Sequence, residues 1–575
     1  MSINWNILNA LKNNDPAYTH LNLRLNKIDA FDAQNLADII TTNTNLETVL
    51  LGDNYIGPSG AKVLAKALVH NTTLKTLGLE YNNIGPAGIK EIAESIKINQ
   101  SLTHIRLDHN NIGPSGIKEL SESLKINNSI KSISLYGNRI GDEGAMYLAD
   151  ALRVNKCIEE VDISNNNISV HGISEIAKAI SISKTLQVIK LKNNPLLSEG
   201  TTYLAKALKV NHSLKLLDLS VTGFDAVSAL DFAQALKSNN SLSTLILENN
   251  SLKLAGIKAL AEALKINSGL QMLILDNTDI DAQSAKEIAL SLKSNSHLHT
   301  LYLDHNNIGD EGTKYIAEAL KANSSLKTLH LGFNNITGLG AEELGTMLKH
   351  NESLEVLNLR GNRISDSGSK SLAKGLEKNN TLHTINLVHN KINPTGAEYL
   401  FHALKINKTL SQLYLGNNAI GDVGVKFIAE ILRNHPSIRL LDIGFNHLNS
   451  LSTGDLAEII RTNTSLQTLN LWGNKFEEES AQLLIEAMRD NIYITTLNGI
   501  HCQEYLERNK KILMNYLEPL WQLKNPTKLT LLKEVTALIR NDYPDIELNN
   551  KPYPIQLVNL YNGFLKRIEE LLDVQ

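Results

Sequence analysis

Residues 46–71 read LETVLLGDNYIGPSGAKVLAKALVHN, and this stretch decides the fold. Val49 and Leu51 stand two residues apart, which is the period of a β-strand. Leu64 and Leu68 follow four residues apart, the spacing of one face of an α-helix. The change of period predicts a short strand, a turn, and a helix that returns antiparallel to the strand.

The same pattern returns every 28 residues, from Tyr18 to Tyr493, seventeen times without an insertion. These repeats take up 476 of the 575 residues. Repeats of about 20–50 residues mark solenoids, in which no unit can bury its own apolar face without its neighbours. We therefore predict an α/β solenoid of 17 uniform 28-residue strand-helix units at residues 18–502. Residues 1–17 would form an N-terminal helical cap, and 503–575 an all-helical C-terminal cap or small helical domain.

Two asparagines recur in each repeat. The first, Asn54 in the quoted stretch, closes the strand. We expect its amide to make hydrogen bonds to backbone groups of the turn that have no partner within the sheet. This first asparagine slot holds Asn in fifteen repeats and Thr in two, Thr222 and Thr278. The second, Asn71 in the quoted stretch, follows the helix. Because Asn tolerates left-handed backbone, we predict that conformation there.

The repeat LxxLxLxxNxI followed by a helical half resembles the ribonuclease-inhibitor type of leucine-rich repeat. The resemblance implies a horseshoe or spiral with parallel strands inside and helices outside, and binding of a partner protein on the concave face. The ribonuclease inhibitor itself alternates 28- and 29-residue units and is rich in cysteine. This chain has only Cys157 and Cys502, so ribonuclease binding is not implied.

Composition excludes several classes of function. The net charge of −4 provides no broad cationic surface for phosphate backbones, so we expect no nucleic-acid partner. The two cysteines are too few for a disulfide framework, and the N-terminus has no apolar signal core. We expect no membrane span, no cofactor and a cytoplasmic location.

No motif of a known catalytic site occurs in the chain. His501-Cys502 could be read as a nucleophile beside a base, but Cys502 falls in the first asparagine slot, which favours packing. Asp108-His109 and Asp304-His305 lack a third convergent ligand, so we predict no metal site. The activating proteins of the GTPase Ran share this repeat type, but their inserted arginine loop and acidic tail are missing here. We expect a protein that is not an enzyme.

The exposed strand positions, which lie four, two and one residues before the first asparagine slot, carry whatever specificity exists. In the last seven repeats, these twenty-one positions hold five aromatic residues, three histidines and only three charges. Aromatic residues are 5% of the chain and are frequent binding hot spots, so this excess predicts a partner-binding surface. The predicted surface, named the aromatic strip, consists of Tyr302, His305, His330, Phe333, Arg360, His389, Tyr414, Phe445 and Trp472.

Ile246 and Ile274, near the two Thr replacements, form a weaker second candidate surface. The hypothesis is a monomeric scaffold that binds a protein partner. The Asn-, Ile- and Lys-rich repeats also resemble leucine-rich-repeat effectors of intracellular bacteria such as Legionella, which implies non-classical secretion and a host protein as partner. The alternative is a GTPase regulator or an enzyme whose activity depends on residues 503–575.

Overall fold

The computed structural model describes residues 5–512 and positions 514, 535, 536, 539, 556, 557, 560 and 561. The chain divides into two compact units, Met1–Asn306 and Asn307–Gln575. Both units are built from the same strand-helix repeat, so the predicted leucine-rich-repeat fold class is confirmed.

The described part of the first unit contains helices α1–α11 and strands β1–β11. The helices are α1 Trp5–Lys12, α2 Ala30–Thr42, α3 Gly57–His70, α4 Gly85–Ile98, α5 Gly113–Leu124, α6 Gly141–Val154, α7 Val170–Ile182, α8 Leu197–Val210, α9 Ala226–Leu236, α10 Lys253–Leu264 and α11 Ala282–Leu292. The strands are β1 His20–Asn22, β2 Thr48–Leu50, β3 Thr76–Gly78, β4 His104–Arg106, β5 Ser132–Ser134, β6 Glu160–Asp162, β7 Val188–Lys190, β8 Leu216–Asp218, β9 Thr244–Ile246, β10 Met272–Ile274 and β11 Thr300–Tyr302.

The described part of the second unit contains helices α12–α19, strands β12–β18 and a 3₁₀ turn at Ser450–Ser452. The helices are α12 Gly309–Leu320, α13 Gly338–Leu348, α14 Ser365–Leu376, α15 Pro394–Leu404, α16 Gly421–Leu432, α17 Thr453–Thr462, α18 Glu478–Asp490 and α19 Gln503–Ile512. The strands are β12 Thr328–His330, β13 Val356–Asn358, β14 Thr384–Asn386, β15 Gln412–Tyr414, β16 Leu440–Asp442, β17 Thr468–Asn470 and β18 Thr496–Asn498.

Within each unit, neighbouring strands pair in parallel with a register of one repeat. Leu21 pairs with Val49 in the first unit, and Leu413 pairs with Leu441 in the second. The middle residue of each strand is buried and its two neighbours face outward. The core therefore lies between the sheet and the helices, and the first and last residues of most strands are at least partly exposed on the other face of the sheet.

The first asparagine slot works as predicted. Asn110 is fully buried, and its amide nitrogen donates to the carbonyls of Leu79 at 2.8 Å and Leu107 at 3.1 Å. Its amide oxygen accepts from the backbone N–H groups of Asn82 at 3.0 Å and Ile84 at 3.2 Å. One side chain thus joins its own repeat to the preceding one through their backbones.

The prediction for the second asparagine slot was wrong in its conformation. Asn71 has φ −77° and ψ 131°, which is extended rather than left-handed backbone. Its buried side chain donates to the carbonyl of Ile40 at 2.8 Å and accepts from the N–H of Leu74 at 2.7 Å. The residue therefore tethers its repeat to the preceding helix end. The left-handed residues instead flank the first slot, as at Asp53.

Short helices lie at both ends of the repeats. In the first unit, Leu8 and Leu11 of α1 are buried, and Asn43 donates to the carbonyl of Leu11 at 2.8 Å. In the second unit, α19 buries Leu506 and Ile512. The helices expected after residue 512 lie almost entirely outside the described residues, and the boundaries at 17 and 502 stay predictions.

Candidate partner-binding surface

The residues of the aromatic strip fall into three rows, which lie four, two and one residues before the first asparagine slot, and Arg360 and Trp472 occupy the middle row. Tyr302 and His330 occupy the last position of their strands, whereas Phe333 and Phe445 occupy the left-handed position directly before the first asparagine slot. Tyr302 and His305 belong to the first unit, and the other seven residues belong to the second. Within the second unit, the structure brings Phe333 together with Arg360, and Phe445 together with Trp472.

The most exposed pair is Phe445 with Trp472. Their ring centroids are 4.9 Å apart at an interplanar angle of 84°, which is an edge-to-face contact. The exposed fractions of the two residues are 47% and 60%. Gly473, at φ +75°, lies beneath the Phe445 ring, since a Cβ there would be 2.3 Å from the ring carbon Cδ1. Two large rings are thus fixed in position and remain open to a partner.

Phe333 is held over a glycine in the same way as Phe445. Its ring covers Gly361, where a Cβ would be 2.4 Å from the ring, and the Arg360 guanidinium lies 5.7 Å from the ring centroid. This distance is within the range of a cation–π contact. Phe333 is half-buried as a result, so the guanidinium of Arg360 is the more accessible part of this pair.

The histidines and Tyr414 make polar contacts with neighbouring side chains. His330 Nδ1 lies 3.1 Å from Asn358 Nδ2, and His389 Nδ1 lies 3.0 Å from Asn417 Nδ2. Tyr414 donates its hydroxyl to Gln412 at 3.1 Å, and burial together with Asp442 raises the pKa of its phenol. His330 and Tyr414 are half-buried, whereas His389 is exposed.

A pocket of about 430 Å³ adjoins Trp472 at the last strand of the second unit. Its lining includes Asn498, Ile500, Cys502 and Leu506. Burial raises the pKa of the Cys502 thiol, which keeps the sulfur protonated and favours packing over nucleophilic chemistry. The lining mixes polar and apolar residues, and the pocket opens beside the indole of Trp472.

The sequence reasoning missed a ring cluster in the first unit. Tyr81 stacks on His109 with centroids 4.2 Å apart, and His109 meets Tyr136 edge-on at 4.9 Å. His109 covers Gly137 as Phe445 covers Gly473, so an aromatic residue followed 28 residues later by Gly was the available signal. The cluster borders a groove of about 880 Å³ along the strand ends.

Asp108 and His109 do not form an acid–base pair. Asp108 accepts hydrogen bonds from the Ser134 hydroxyl and from the N–H of Tyr136 at 3.0 Å, whereas the His109 ring lies in the stack. In the described part of the chain, no group of three or more His, Cys, Asp or Glu side chains is placed to hold a metal ion. None of the described helices has the length and hydropathy to cross a membrane.

Comparison with known proteins agrees with this geometry. A Leucine Rich repeat profile matches residues 42–65, 70–93, 294–317, 322–345, 350–373, 378–401 and 407–429. A profile of the TMOD/LMOD Leucine-rich domain matches residues 108–201. The chain is a leucine-rich-repeat protein. A search of curated proteins found no match.

Three solved structures are similar to this chain at low identity. The TLR13 chain of a TLR13–ssRNA13 complex is 20% identical with a TM-score of 0.50, over 86% of this chain and 65% of that chain. A mouse RP105/MD-1 complex matches at 17% identity and TM-score 0.46, over 84% of this chain and 80% of that chain. Leiomodin-1 Actin-Binding Site 2 (ABS2) is 26% identical over 22% of this chain and 75% of its own, with a TM-score of 0.21. The TLR13 match shows the fold alone.

Proposed function

We propose that the protein is a non-enzymatic scaffold that binds a partner protein on the exposed face of its sheet. The observation that carries this proposal is the edge-to-face pair of Phe445 and Trp472, which is exposed and fixed over Gly473. Aromatic side chains in well-packed, preorganised positions contribute most of the binding energy in many interfaces. The pocket beside Trp472 adds a cavity that a partner side chain would fill.

The rest of the aromatic strip surrounds this anchor in the proposal. Arg360 over Phe333 offers a guanidinium held by a ring, which suits a carboxylate or a carbonyl of the partner. Tyr414 pairs in register with Asp442 of the next repeat, and Asp442 pairs with Asn470 of the repeat that contains Trp472. A row of rings, one guanidinium and few charges favours a partner surface that is mainly apolar with scattered acidic groups.

The double variant Phe445→Ala/Trp472→Ala should lower the affinity for the partner at least about 30-fold, the equivalent of about 2 kcal/mol at an aromatic hot spot. Because both rings are exposed, the free energy of unfolding should change by only about 0.5–1 kcal/mol. A photoreactive phenylalanine analogue at position 472 would capture the partner covalently. Binding of that captured protein to wild type and variant then measures the affinity change.

Tyr81→Ala is the matched control, because Tyr81 is an equally exposed ring at the same slot in the first unit. It should leave partner binding within about twofold of wild type. Equal losses in the control and the double variant would mean that the pair does not form the interface. Unchanged binding in the double variant would refute the proposed site.

Contacts of the C-terminal segment favour a capping role over a separate enzymatic domain. Asn509 of α19 donates to the carbonyl of Ile494 at 2.8 Å. Gln556 accepts from the N–H of Ile492 at 3.1 Å and donates to the carbonyl of Arg461 at 2.6 Å. These amides satisfy backbone groups of the last repeats, as the asparagines do inside the array. We therefore infer that the described residues of segment 503–575 cover the last repeat.

We extend the proposal in two respects. The repeats are of the ribonuclease-inhibitor subtype, and the protein acts as a bacterial effector. The uniform 28-residue length with a helix in nearly every repeat supports the subtype. Secretion into a host cytosol, with a host protein as partner, rests on the resemblance of the repeats alone. Photocapture in host-cell lysate and in lysate of the source cells would separate a host partner from an endogenous one.

A further inference from the structure

Five exposed aliphatic residues occupy one slot in five consecutive repeats of the first unit. The slot directly precedes the second asparagine slot, at the end where helices finish and strands begin. The exposed fraction is between 53% and 60% for every member of this stripe, which consists of Ile98, Ile126, Val154, Ile182 and Val210. Single exposed aliphatic residues need no explanation, but a contiguous exposed row does.

Hydrogen bonds along the second asparagine slot align the stripe. The side chains of Asn99, Asn127 and Asn155 each donate to the backbone carbonyl at the equivalent position of the preceding repeat, at 2.9–3.0 Å. Ile98, Ile126 and Val154 each directly precede one of these asparagines, and Val210 precedes Asn211, whose side chain donates to the carbonyl of Ser183 at 3.0 Å. Successive stripe residues are therefore roughly 5–10 Å apart, between the spacing of strands and that of helices.

The repeat itself does not require an aliphatic residue in this slot. Ser238 and Ser294 fill it in later repeats of the first unit, and Thr462 fills it in the second. The fold thus accepts a small polar residue there. Ile266 and Ile406 are also exposed in this slot, but the repeats on either side of each have no aliphatic residue there, so the unbroken row is a feature of residues 98–210.

Basic residues flank the stripe. The five seven-residue stretches 97–103, 125–131, 153–159, 181–187 and 209–215 contain eight Lys or Arg and one Glu. Lys97 and Lys125 are paired with Glu94 and Glu122 on their own helices. Lys131 is paired with Glu159, and Arg153 with Asp150 and Glu175. The other basic residues of the five stretches are exposed, and they are Lys156, Lys184, Lys209 and Lys215.

We propose that this edge docks onto an anionic lipid bilayer, with the aliphatic stripe in the headgroup–acyl boundary and the lysines against anionic headgroups. Aliphatic side chains beside Lys and Arg are the combination that peripheral proteins use on such surfaces. More than half of each stripe residue is exposed, so the stripe protrudes, which suits a bilayer better than the groove that a partner helix needs. A second copy would bring lysine against lysine, which opposes self-association.

Vesicle co-sedimentation tests the proposal. Full-length protein should bind vesicles of phosphatidylcholine with about one-third phosphatidylserine, and binding should fall at least tenfold on pure phosphatidylcholine. The variant Ile182→Ser/Val210→Ser should bind the anionic vesicles at least tenfold more weakly. The control variant Ile266→Ser/Ile406→Ser removes two aliphatic residues from the same slot outside the stripe, and should bind within twofold of wild type.

Serine occurs naturally in this slot, so both variants should keep the melting temperature of the wild type. No binding to anionic vesicles by the wild-type protein would overturn the proposal. Equal loss in both variants, or none in either, would overturn the role of the stripe. A dimer in light scattering that only the stripe variant disrupts would assign the edge to a second copy and would also reject lipid docking.

Discussion

Replacing Asn110 by Ala should lower the free energy of unfolding of the first unit by about 3–5 kcal/mol, because a buried group that is left without its hydrogen-bond partner costs about 1–3 kcal/mol. The side chain of Asn110 is fully buried and serves three backbone groups in the preceding repeat and the carbonyl of Leu107 in its own, as well as the carbonyl of Asp108 at 3.2 Å. Alanine satisfies none of them. Urea unfolding followed by circular dichroism measures the loss.

Two natural repeats provide the graded control. Thr222 donates to the carbonyl of Leu219 at 2.7 Å, and Thr278 makes the same bond to Leu275 at 2.7 Å. Asn110→Thr should therefore keep the bond to the carbonyl of Leu107 and lose only the others, so its cost should be about half that of alanine. Hydrogen exchange should show faster opening of residues 76–112 in both variants. An alanine variant within about 1 kcal/mol of wild type would contradict the assigned role.

The sequence was sufficient to predict the fold because the same pattern of apolar residues recurs in all seventeen repeats. The switch from Val49 and Leu51 to Leu64 and Leu68 identified strand and helix, and the fixed 28-residue period identified their parallel pairing. The conformation at Asn71 could not be read in this way. Asn serves equally well as a left-handed residue and as a buried donor, and the choice depends on the carbonyl of Ile40 in the repeat before it.

The candidate surface was only partly predictable for a related reason. Counting residue types selected Phe445 and Trp472, but the contact between them and the support from Gly473 depend on the neighbouring repeat. The same count passed over the stack of Tyr81 on His109, since a single histidine among charged positions carries no aromatic signal by itself. Contacts between side chains are therefore predicted better from pairs of positions 28 residues apart than from single positions.

His435 should make the second unit sensitive to acid. It stands in the second asparagine slot, where it is buried and imitates the amide of Asn407 in the repeat before it. Its Nε2 lies 3.0 Å from the carbonyl oxygen of Leu404 and 3.1 Å from that of Asn407, and the N–H groups of Ser437 and Ile438 point to its Nδ1 at 3.5 and 3.4 Å. These partners require a neutral ring with the proton on Nε2.

Burial, with a contribution from Lys408, lowers the pKa of His435 in the folded protein. Well above pH 6.5 the ring is neutral in both states and the effect vanishes. As the pH falls through about 6.5, the unfolded chain takes up the proton first, so stability drops by up to about 1.4 kcal/mol per pH unit. The drop continues until the folded-state pKa is reached, and would amount to at most about 2 kcal/mol at pH 5.

His435→Asn removes the titrating group and restores the amide used in the neighbouring repeats. The variant should match or exceed the wild-type melting temperature at pH 8 and exceed it by a growing margin toward pH 5. Asn351→His, at the same slot in another repeat of the second unit, should introduce a similar acid sensitivity, because Asn351 is also buried and donates to the carbonyl of Leu320 at 2.7 Å. Parallel pH profiles for wild type and His435→Asn would show that the ring is not held neutral. A flat profile for Asn351→His would show that the slot alone does not depress the pKa, and that the surroundings of His435, including Lys408, are required.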